Sequence, residues 1–410
     1  MKPKLFGSIK PSLLTLTMGG IAIGMTEFTM MGVLPDIART LSISIPSAGH
    51  LISIYALGVV IGAPLMTMLA GNFPPKRILM FLMGMFVVFN ALFAIAPTYE
   101  LLLVTRFFAG LPHGAFFGIG AVVASHLAEP GRQARAVSLM FAGLTFANVI
   151  GVPIGTYIGH NLSWRFSFSI VAGIALLAML SIGKWMPNLP SAPKSNKLSE
   201  LQIYKKADIW LIIGICAIGT GGLFAWISYI APLMTEVAGI KPGHITEVMI
   251  TAGLGMAVGN FIGGRLADKF SPLKAAAIGM LAMVTALLLV ALVSTSSIAA
   301  LIMTFLTGAI AFAAAAPLQM LMIRTAKGAE MLASSSLQAS FNMGNAIGAF
   351  LGGLPIAAGY GYTSPEFVGA GLAFIGFTFC LVLAGRNKLL SRRGPETIAP
   401  PLSIAEKKEV

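Results

Sequence analysis

Two stretches of the sequence share one pattern and decide the fold: LGVVIGAPLMTMLAGNFPP at 57–75 and LGMAVGNFIGGRLADKFSP at 254–272. Both are apolar, and they align at an offset of 197 residues, from 57 to 254. The identical pairs are Leu57 and Leu254, Gly58 and Gly255, Gly62 and Gly259, Leu69 and Leu266, Ala70 and Ala267, Phe73 and Phe270, and Pro75 and Pro272. Glycines four positions apart let membrane helices approach closely, so the pattern indicates one membrane-helix unit present twice.

The same offset of 197 residues relates a second pair of segments further along the chain. Its identical pairs are Asn148 and Asn345, Ile150 and Ile347, Gly151 and Gly348, and Gly155 and Gly352. One offset that serves two separate regions predicts a duplicated unit of six helices, with the two copies parallel about a pseudo-two-fold axis. Secondary transporters built on such repeats move two bundles around a site near the middle of the membrane.

The composition excludes a soluble protein. Of 410 residues, 57% are hydrophobic and 10% are charged, whereas soluble domains carry about 25% charged residues. The net charge of +13 comes from basic residues in short loops, so we expect no nucleic-acid partner. The two cysteines fall in apolar runs and form no disulfide framework. The sequence has no ATP-binding motif, metal-ligand cluster or nucleophile triad. We therefore expect no enzyme, metal or cofactor, and a proton gradient as the energy source.

Twelve apolar segments are long enough to cross a bilayer, for which a helix needs about 20 residues. The alternation of apolar and polar residues that is typical of β-barrel strands is missing from them. We predict an all-α membrane protein with twelve transmembrane helices in two six-helix bundles, over approximately 12–35, 48–70, 77–97, 100–126, 135–159, 163–186, 208–232, 244–267, 274–294, 297–323, 331–356 and 364–386.

The loops predict the orientation. Nearly all of the 27 Lys and Arg residues lie in loops on the side of the N-terminus, whereas the opposite side has Arg39, Arg165 and Lys241. Because positively charged loops remain in the cytoplasm, we expect both termini to be cytoplasmic, in a multi-pass protein of a bacterial-type inner membrane.

One polar stretch divides the chain in two. Residues 187–207 contain Pro and several Lys and separate six spans from six. We predict an N-terminal bundle at 1–186, a cytoplasmic linker at 187–207, a C-terminal bundle at 208–386 and a cytoplasmic tail at 387–410.

Several motifs resemble those of the major facilitator superfamily, over roughly residues 12–390. The chain is most similar to the twelve-helix drug:proton antiporter-1 group and its arabinose-efflux-permease-like members. The motifs are MTEFTMMGVLPDIA (25–38), AGHLISIYALGVVIGAPL (48–65), RFFAGLPHGAFFGIGA (106–121), ANVIGVPIGTYIG (147–159), SWRFSF (163–168), GLFAWISYIAPLM (222–234) and GGRLADKFSP (263–272). The resemblance implies the major facilitator fold and a transport function.

Charged side chains inside the spans are functional candidates because a charge in the bilayer is costly. Glu27 lies in the first span, and Arg106 and His113 lie in the fourth. Glu27 and Arg106 are roughly 12 Å and 9 Å from the outer ends of their spans, so their side chains are at similar depths and can pair. His113 follows Arg106 by nearly two turns and points the same way. The C-terminal bundle shows no charge at this depth. Asp36, near the outer surface, is interpreted as a solvated loop acid.

A change in the distance between Arg106 and Glu27 would switch whether the carboxylate holds a proton, which predicts proton coupling. The resemblance supports this role, because Arg106 with Gly110 and Gly114 matches the family's span-4 motif for proton transfer. A histidine side chain ordinarily titrates near neutral pH, so His113 is the third candidate for proton coupling.

The resemblance also implies gating segments. Arg265, Asp268 and Lys269 match the loop motif after the eighth span, whose charges can latch one conformation. The first-half copy departs from the motif, since Gly71 stands where the repeat places Asp268.

The fifth span contains a looser form of the antiporter Gly-Pro motif. Pro153 is expected to bend the helix, and Gly151 and Gly155 are expected to pack on the opposite bundle.

The resemblance places a central cavity between spans 1, 4, 7 and 10, helped by 2, 5, 8 and 11. Amides and aromatic rings suit a sugar or a flat neutral heterocycle, and methionines suit varied hydrophobic drugs. The predicted substrate-binding residues are Phe28, Met30, Asn148, Trp226, Tyr229, Gln319, Gln338 and Asn342, with Asn345 as a further polar candidate.

Together these features predict a monomeric, proton-coupled antiporter that exports a small organic solute by alternating access. A sugar or sugar derivative is the first expectation, and a drug or nucleoside the next. A proton symporter or a facilitator that imports a solute is an alternative. A membrane ligand sensor without transport is an alternative from another class.

Overall fold

The computed structural model describes residues 11–70, 73–129, 133–190, 201–269, 271–326 and 329–392, and these residues contain helices and no strand. Among the described residues, ten stretches are long and apolar enough to cross a membrane, and one of them, Leu139–Trp185, has 47 residues and covers most of both the fifth and the sixth predicted spans. The eleventh predicted span is the helix Glu330–Ala357, in which Ser, Gln and Asn residues lower the apolarity. The prediction of twelve membrane helices is therefore confirmed.

The first half of the chain forms six of these helices. They are α1 (Pro11–Gly32), α2 (Ile45–Ala70), α3 (Pro75–Ile95), α4 (Tyr99–Leu127), α5 (Gln133–Phe146, a π-helical turn Ala147–Gly151, then Val152–Ile158) and α6 (Trp164–Trp185). A short helix, Leu34–Leu41, follows α1, and a π-helical segment, Gly159–Ser163, leads into α6.

The second half forms the other six helices. α7 is the most interrupted, with the segments Ala207–Gly214, Ile215–Gly219, Gly221–Ile227, Ile230–Pro232 and Leu233–Val237, of which the second and fifth are π-helical. The others are α8 (Ile245–Lys269), α9 (Pro272–Val293), α10 (Ser297–Ala313 and Ala315–Thr325), α11 (Glu330–Ala357) and α12 (Ser364–Arg392).

The repeated glycines make equivalent contacts in both halves. A side chain on Gly62 of α2 would collide with the carbonyl oxygen of Leu111 in α4. A side chain on Gly259, its partner in the repeat, would collide with the carbonyl oxygen of Ala309 in α10. The glycine spacing therefore brings helix backbones into direct contact, and the pseudo-two-fold repeat is present in the structure.

The two halves share one hydrophobic core at one end of the molecule and keep separate cores at the other. We call the end at which α1 begins the inner face and the opposite end the outer face. The shared core contains residues near the outer ends of helices from both halves, such as Phe28, Leu51, Tyr229 and Met249. Towards the inner face, one core contains only first-half residues and another only second-half residues. The structure is thus closed at the outer face.

Substitution at a contact glycine tests this arrangement. We expect Gly259→Ala to lower the unfolding temperature, at a cost of about 1–3 kcal/mol, because the added methyl group forces α8 away from α10. Gly371→Ala in α12 is the matched control, since a Cβ there meets no atom within 4 Å. Thermal unfolding of the purified variants in detergent would measure both. Equal stability of the two variants would contradict the contact.

Candidate functional site

The carboxylate of Glu27 is bonded to the other half of the protein. Glu27 lies on α1, and its side chain is buried. The amide Nδ2 of Asn345, on α11, donates a hydrogen bond of 3.1 Å to Oε1 of Glu27. This side-chain hydrogen bond connects the two halves of the protein. It lies beneath the shared outer core, so it depends on the closure of the outer face.

Arg106 is held by polar groups of the first half. Its guanidinium Nη1 donates to the hydroxyl of Thr26 at 3.1 Å and to the carbonyl oxygen of Thr26 at 3.4 Å. Its Nε donates to the carbonyl oxygen of Leu51 at 3.3 Å. The hydroxyl of Thr26 in turn donates to Asn90 Oδ1 at 2.6 Å. These bonds fix Arg106 to α1, α2 and α3.

Aromatic rings surround the same guanidinium. Its central carbon lies 4.1 Å from the ring centre of Tyr55, 5.5 Å from that of Phe93 and 5.7 Å from that of Phe168. Such cation–π contacts stabilise a cation that has left water. The predicted pairing of Arg106 with Glu27 is therefore wrong for this state: among the described residues no ion pair joins them, because rings and backbone carbonyls hold Arg106 while Asn345 bonds the carboxylate.

His113 lies in the same aromatic group. It is buried, and its Nδ1 is 3.0 Å from the hydroxyl of Tyr55. Tyr55 thus contacts Arg106 with its ring and His113 with its hydroxyl. The sequence prediction that Arg106 and His113 face the same way agrees with this arrangement, but the role of Tyr55 was missed, because it depends on how α2 packs against α4.

Four predicted substrate-binding residues lie in the shared outer core. The ring of Phe28 is 6.4 Å from that of Phe312 in the other half. Met30 and Trp226 are fully buried. The hydroxyl of Tyr229 donates to the carbonyl oxygen of Ala349 at 2.7 Å and so joins α7 to α11. In this state these residues close the outer face, so their predicted role in binding requires that the outer face open.

Predicted amides form a polar stripe on α11. Gln338, Asn342 and Asn345 lie at helical spacings of four and three residues, on one face of the helix. Asn342 donates to the carbonyl oxygen of Gln338 at 3.1 Å, and its own Oδ1 has no partner. Near the inner end of α11, Ser334 accepts a hydrogen bond of 2.9 Å from the amide of Gln319 on α10. The stripe therefore extends from the inner half of α11 to Glu27.

The predicted gating glycines of α5 are placed differently from expectation. A side chain on Gly151 would meet Met25, and one on Gly155 would meet Thr29, both on α1 of the same half. The prediction that they pack on the opposite bundle is wrong, because this face of α5 is turned towards α1. Pro153 is the second residue after the π-helical turn Ala147–Gly151, and this turn accommodates the hydrogen bond that proline cannot donate.

The other gating predictions lie outside the described parts. Gly71 is outside the described residues, and the side chains of Arg265, Asp268 and Lys269 are outside the described side chains. Their latch role stays a prediction.

Two acids are more buried than the sequence suggested. Asp36 is 11% exposed and lies 3.4 Å from His160 Nδ1 and 3.6 Å from Arg39 Nη1, so it is not a solvated loop acid. Glu366, in the first turn of α12, is 1% exposed, and its Oε2 has no partner. It was missed because a Glu near a helix start is typical of a solvated cap.

Comparison with known proteins places this arrangement among transporters. The family described as Major Facilitator Superfamily matches residues 16–326 and 213–409. The protein named "Putative transporter AraJ" of Escherichia coli (strain K12) is 38% identical over 394 residues, which cover 96% of this chain and all of that protein. The "Probable sugar efflux transporter" of Helicobacter acinonychis (strain Sheeba) is 31% identical over 354 residues, covering 85% of this chain and 89% of that protein.

Solved structures share the fold. A bacterial homologue of the human lysosomal transporter Spinster, in an inward-facing and unoccupied conformation, aligns with a TM-score of 0.71 over 93% of this chain and 96% of that chain. The sequence identity is 17%, so the likeness concerns the fold alone.

The buried acid at the outer face predicts a pH dependence. Burial raises the pKa of the Asp36 carboxyl, and the neighbouring His160 opposes the rise. Because the folded protein then binds this proton more readily than the unfolded chain, the stabilisation is present below the ordinary pKa and is lost as pH rises through the folded value. We expect Asp36→Asn to reduce the fall in unfolding temperature above about pH 4. Glu100→Gln, at an exposed acid of α4, is the control. A profile identical to that of the wild type would contradict the prediction.

Proposed function

The chain belongs to the major facilitator superfamily and is a multi-pass membrane transporter, and we propose that it exports a small organic solute in exchange for protons. The proposed location is the bacterial cytoplasmic membrane, with both termini in the cytoplasm, and the proposed unit is a monomer. One observation carries the proposal, the hydrogen bond between Glu27 and Asn345. Glu27 can take up and release a proton, and this bond places its carboxyl group at the contact between the two halves.

The bond ties the state of the carboxyl group to the conformation. A carboxylate inside the membrane needs hydrogen-bond donors to replace water. Asn345 supplies a donor while the outer face is closed. When the outer face opens, α11 moves away from α1, and the carboxylate exchanges its donor for outer water and a proton. This coupling is reciprocal: if protonation of Glu27 favours one conformation, that conformation also binds the proton more tightly.

The cycle follows from this exchange. When the outer face of the protein is open, Glu27 takes up a proton. After closure of the outer face, Glu27 releases the proton to the inner side and accepts the bond from Asn345, and the solute binds. The loaded protein then opens outwards and releases the solute. Arg106 acts as a fixed positive charge in the first half, because its bonds to Thr26 and its ring contacts hold it there.

A sugar or sugar derivative is the first proposed solute. The amide stripe on α11 offers donors and acceptors that suit hydroxyl groups. The Helicobacter relative is named a probable sugar efflux transporter, which supports the same class. A drug or a nucleoside is the second, supported by the buried Met25, Met30 and Met31 next to Glu27, whose side chains adapt to varied apolar shapes.

Two other functions make different predictions. A proton symporter or a facilitator would accumulate or equilibrate the solute inwards. A ligand sensor would bind without moving solute across the membrane. Counterflow of labelled solute separates the sensor from all transporters, and the direction of proton movement separates antiport from symport.

The proposal predicts the loss of proton exchange in Glu27→Gln. The purified protein is placed in vesicles with an internal pH dye, and L-arabinose, D-glucose, uridine and chloramphenicol are added one at a time. We expect a solute-triggered proton flux in the wild type and at least roughly a tenfold smaller flux in the variant, a loss within the range of one coupling free energy. Full proton-driven flux in Glu27→Gln would contradict the assignment.

Glu366→Gln is the matched control for this experiment. It removes the other glutamate that is buried among the described residues, on a helix that lies outside the site. We expect it to keep the coupled flux. Loss of flux in this variant together with retention in Glu27→Gln would assign coupling to α12 instead.

The bond to Asn345 predicts a second, separable effect. Asn345→Leu keeps the carboxyl group but removes its donor, so protonation and closure are no longer tied together. We expect solute movement to continue while the number of protons exchanged per solute falls, with a proton leak raised roughly tenfold, as expected when a coupling of about 1–3 kcal/mol is lost. An unchanged ratio of protons to solute would show that the bond does not couple.

A further inference from the structure

The repeat places two asparagines at equivalent positions, and only one of them has a partner. Asn345 on α11 donates to Glu27. Asn148, its equivalent on α5 at the offset of 197 residues, is 3% exposed, and neither Nδ2 nor Oδ1 has a hydrogen-bond partner. Buried amides with both groups unpaired are rare and call for an explanation.

The explanation lies in a comparison of two positions related by the repeat: the position of Glu27, which bonds to Asn345, and the equivalent position on α7, which the repeat relates to Asn148. The glycine contacts relate the helix pairs, because Gly155 of α5 meets Thr29 of α1 while Gly352 of α11 meets Ala225 of α7. Through this relation, the position of Glu27 on α1 corresponds on α7 to Leu223, whereas the sequence offset of 197 residues gives the neighbouring Phe224. Neither side chain can accept a hydrogen bond. Asn148 has therefore kept the place of Asn345 without a protein partner.

Asn148 also lies at a seam between the halves. A side chain on Gly253 of α8 would collide with the backbone carbonyl of Asn148, so α5 and α8 touch at this residue. The repeat relates this contact to that of α2 with α11, where the ring of His50 lies 5.8 Å from that of Phe350. Both contacts join the two halves while the outer face is closed. Separation of α5 from α8 presents the amide to the space between the halves, so a solute that enters from the inner side reaches Asn148 as this contact begins to open, and its binding favours the outward opening of the proposed cycle.

We infer that Asn148 is the hydrogen-bonding anchor for the transported solute, and that the solute is neutral and presents a hydroxyl or carboxamide group there. This inference rests on the proposed transport function and names the residue and the class of solute. An amide offers one acceptor and two donors without charge, so it selects groups that both donate and accept. A site with such unpaired polar atoms rejects an analogue that lacks the matching group.

Binding measured without a pH gradient tests the inference. Purified protein in lipid nanodiscs is dialysed against labelled L-arabinose, D-glucose, uridine and chloramphenicol at millimolar concentration. We expect the wild type to bind at least one of them and Asn148→Leu to weaken that binding by about tenfold, which corresponds to ~1.4 kcal/mol. The unfolding temperature should not fall, because the substitution removes unpaired polar atoms without leaving new ones.

Two further variants keep the test specific. Thr156→Val is the matched control, since Thr156 is a second buried polar residue of α5 whose side chain has no hydrogen-bond partner, but it faces Gly32 of α1. We expect it to bind as the wild type does. Leu223→Gln puts an amide at the position that the glycine contacts relate to Glu27, and we expect this amide to bond to Asn148 and so to weaken solute binding while Asn148 is retained.

Several outcomes would overturn the inference. These are unchanged affinity in Asn148→Leu, equal weakening in Thr156→Val, or no binding of any of the four compounds by the wild type. Failure of the proposed function gives a different result: binding that depends on Asn148, with no proton flux in the vesicle experiment.

Discussion

Glu27 is a carboxyl group inside a membrane-spanning helix, and its hydrogen-bond donor comes from the other half of the protein. A carboxyl group that has left water must be neutral or hydrogen-bonded. Asn345 satisfies this need only while α1 and α11 lie together, which they do while the outer ends of the halves share one core. One polar contact thus connects the chemistry of a single side chain to the closure of one face, and the proposed function depends on it.

Contacts within the first half fix the position of the Arg106 guanidinium. Arg106 is planar and delocalised, so it stacks on Tyr55 while its edges bond to Thr26 and Leu51. Tyr55 extends the group to His113. A lysine would reach the same place with a point charge that stacks less well. The whole group belongs to one half, so the proposed opening would move it as a body and would break the bond from Asn345 to Glu27.

Much of this arrangement was predictable from local pattern. Apolar length gave the spans, and the offset of 197 residues indicated the repeat that the contacts of Gly62 and Gly259 show. The burial of Glu27, Arg106 and His113 followed from their places in apolar runs. Their partners did not follow, because the bond from Asn345 depends on the register of two helices from different halves. The facing of Gly151 and the partners of Asp36 depend in the same way on packing and not on spacing.

The repeat also separates the residues that set helix contacts, which are the same in both copies, from side chains that differ between the copies. The two copies agree at glycines that set helix contacts, so side chains at equivalent positions are delivered to places related by the pseudo-two-fold axis. One such place holds Glu27, and the equivalent place on α7 holds an apolar residue, Leu223 by the glycine contacts or Phe224 by the sequence offset. The amides that face them are the same, yet one meets a carboxyl group and the other meets no protein partner. A proton and a neutral solute therefore need not share a residue in order to compete. In the proposed mechanism, each acts on the same closure through its own contact between the halves, the proton between α1 and α11 and the solute between α5 and α8.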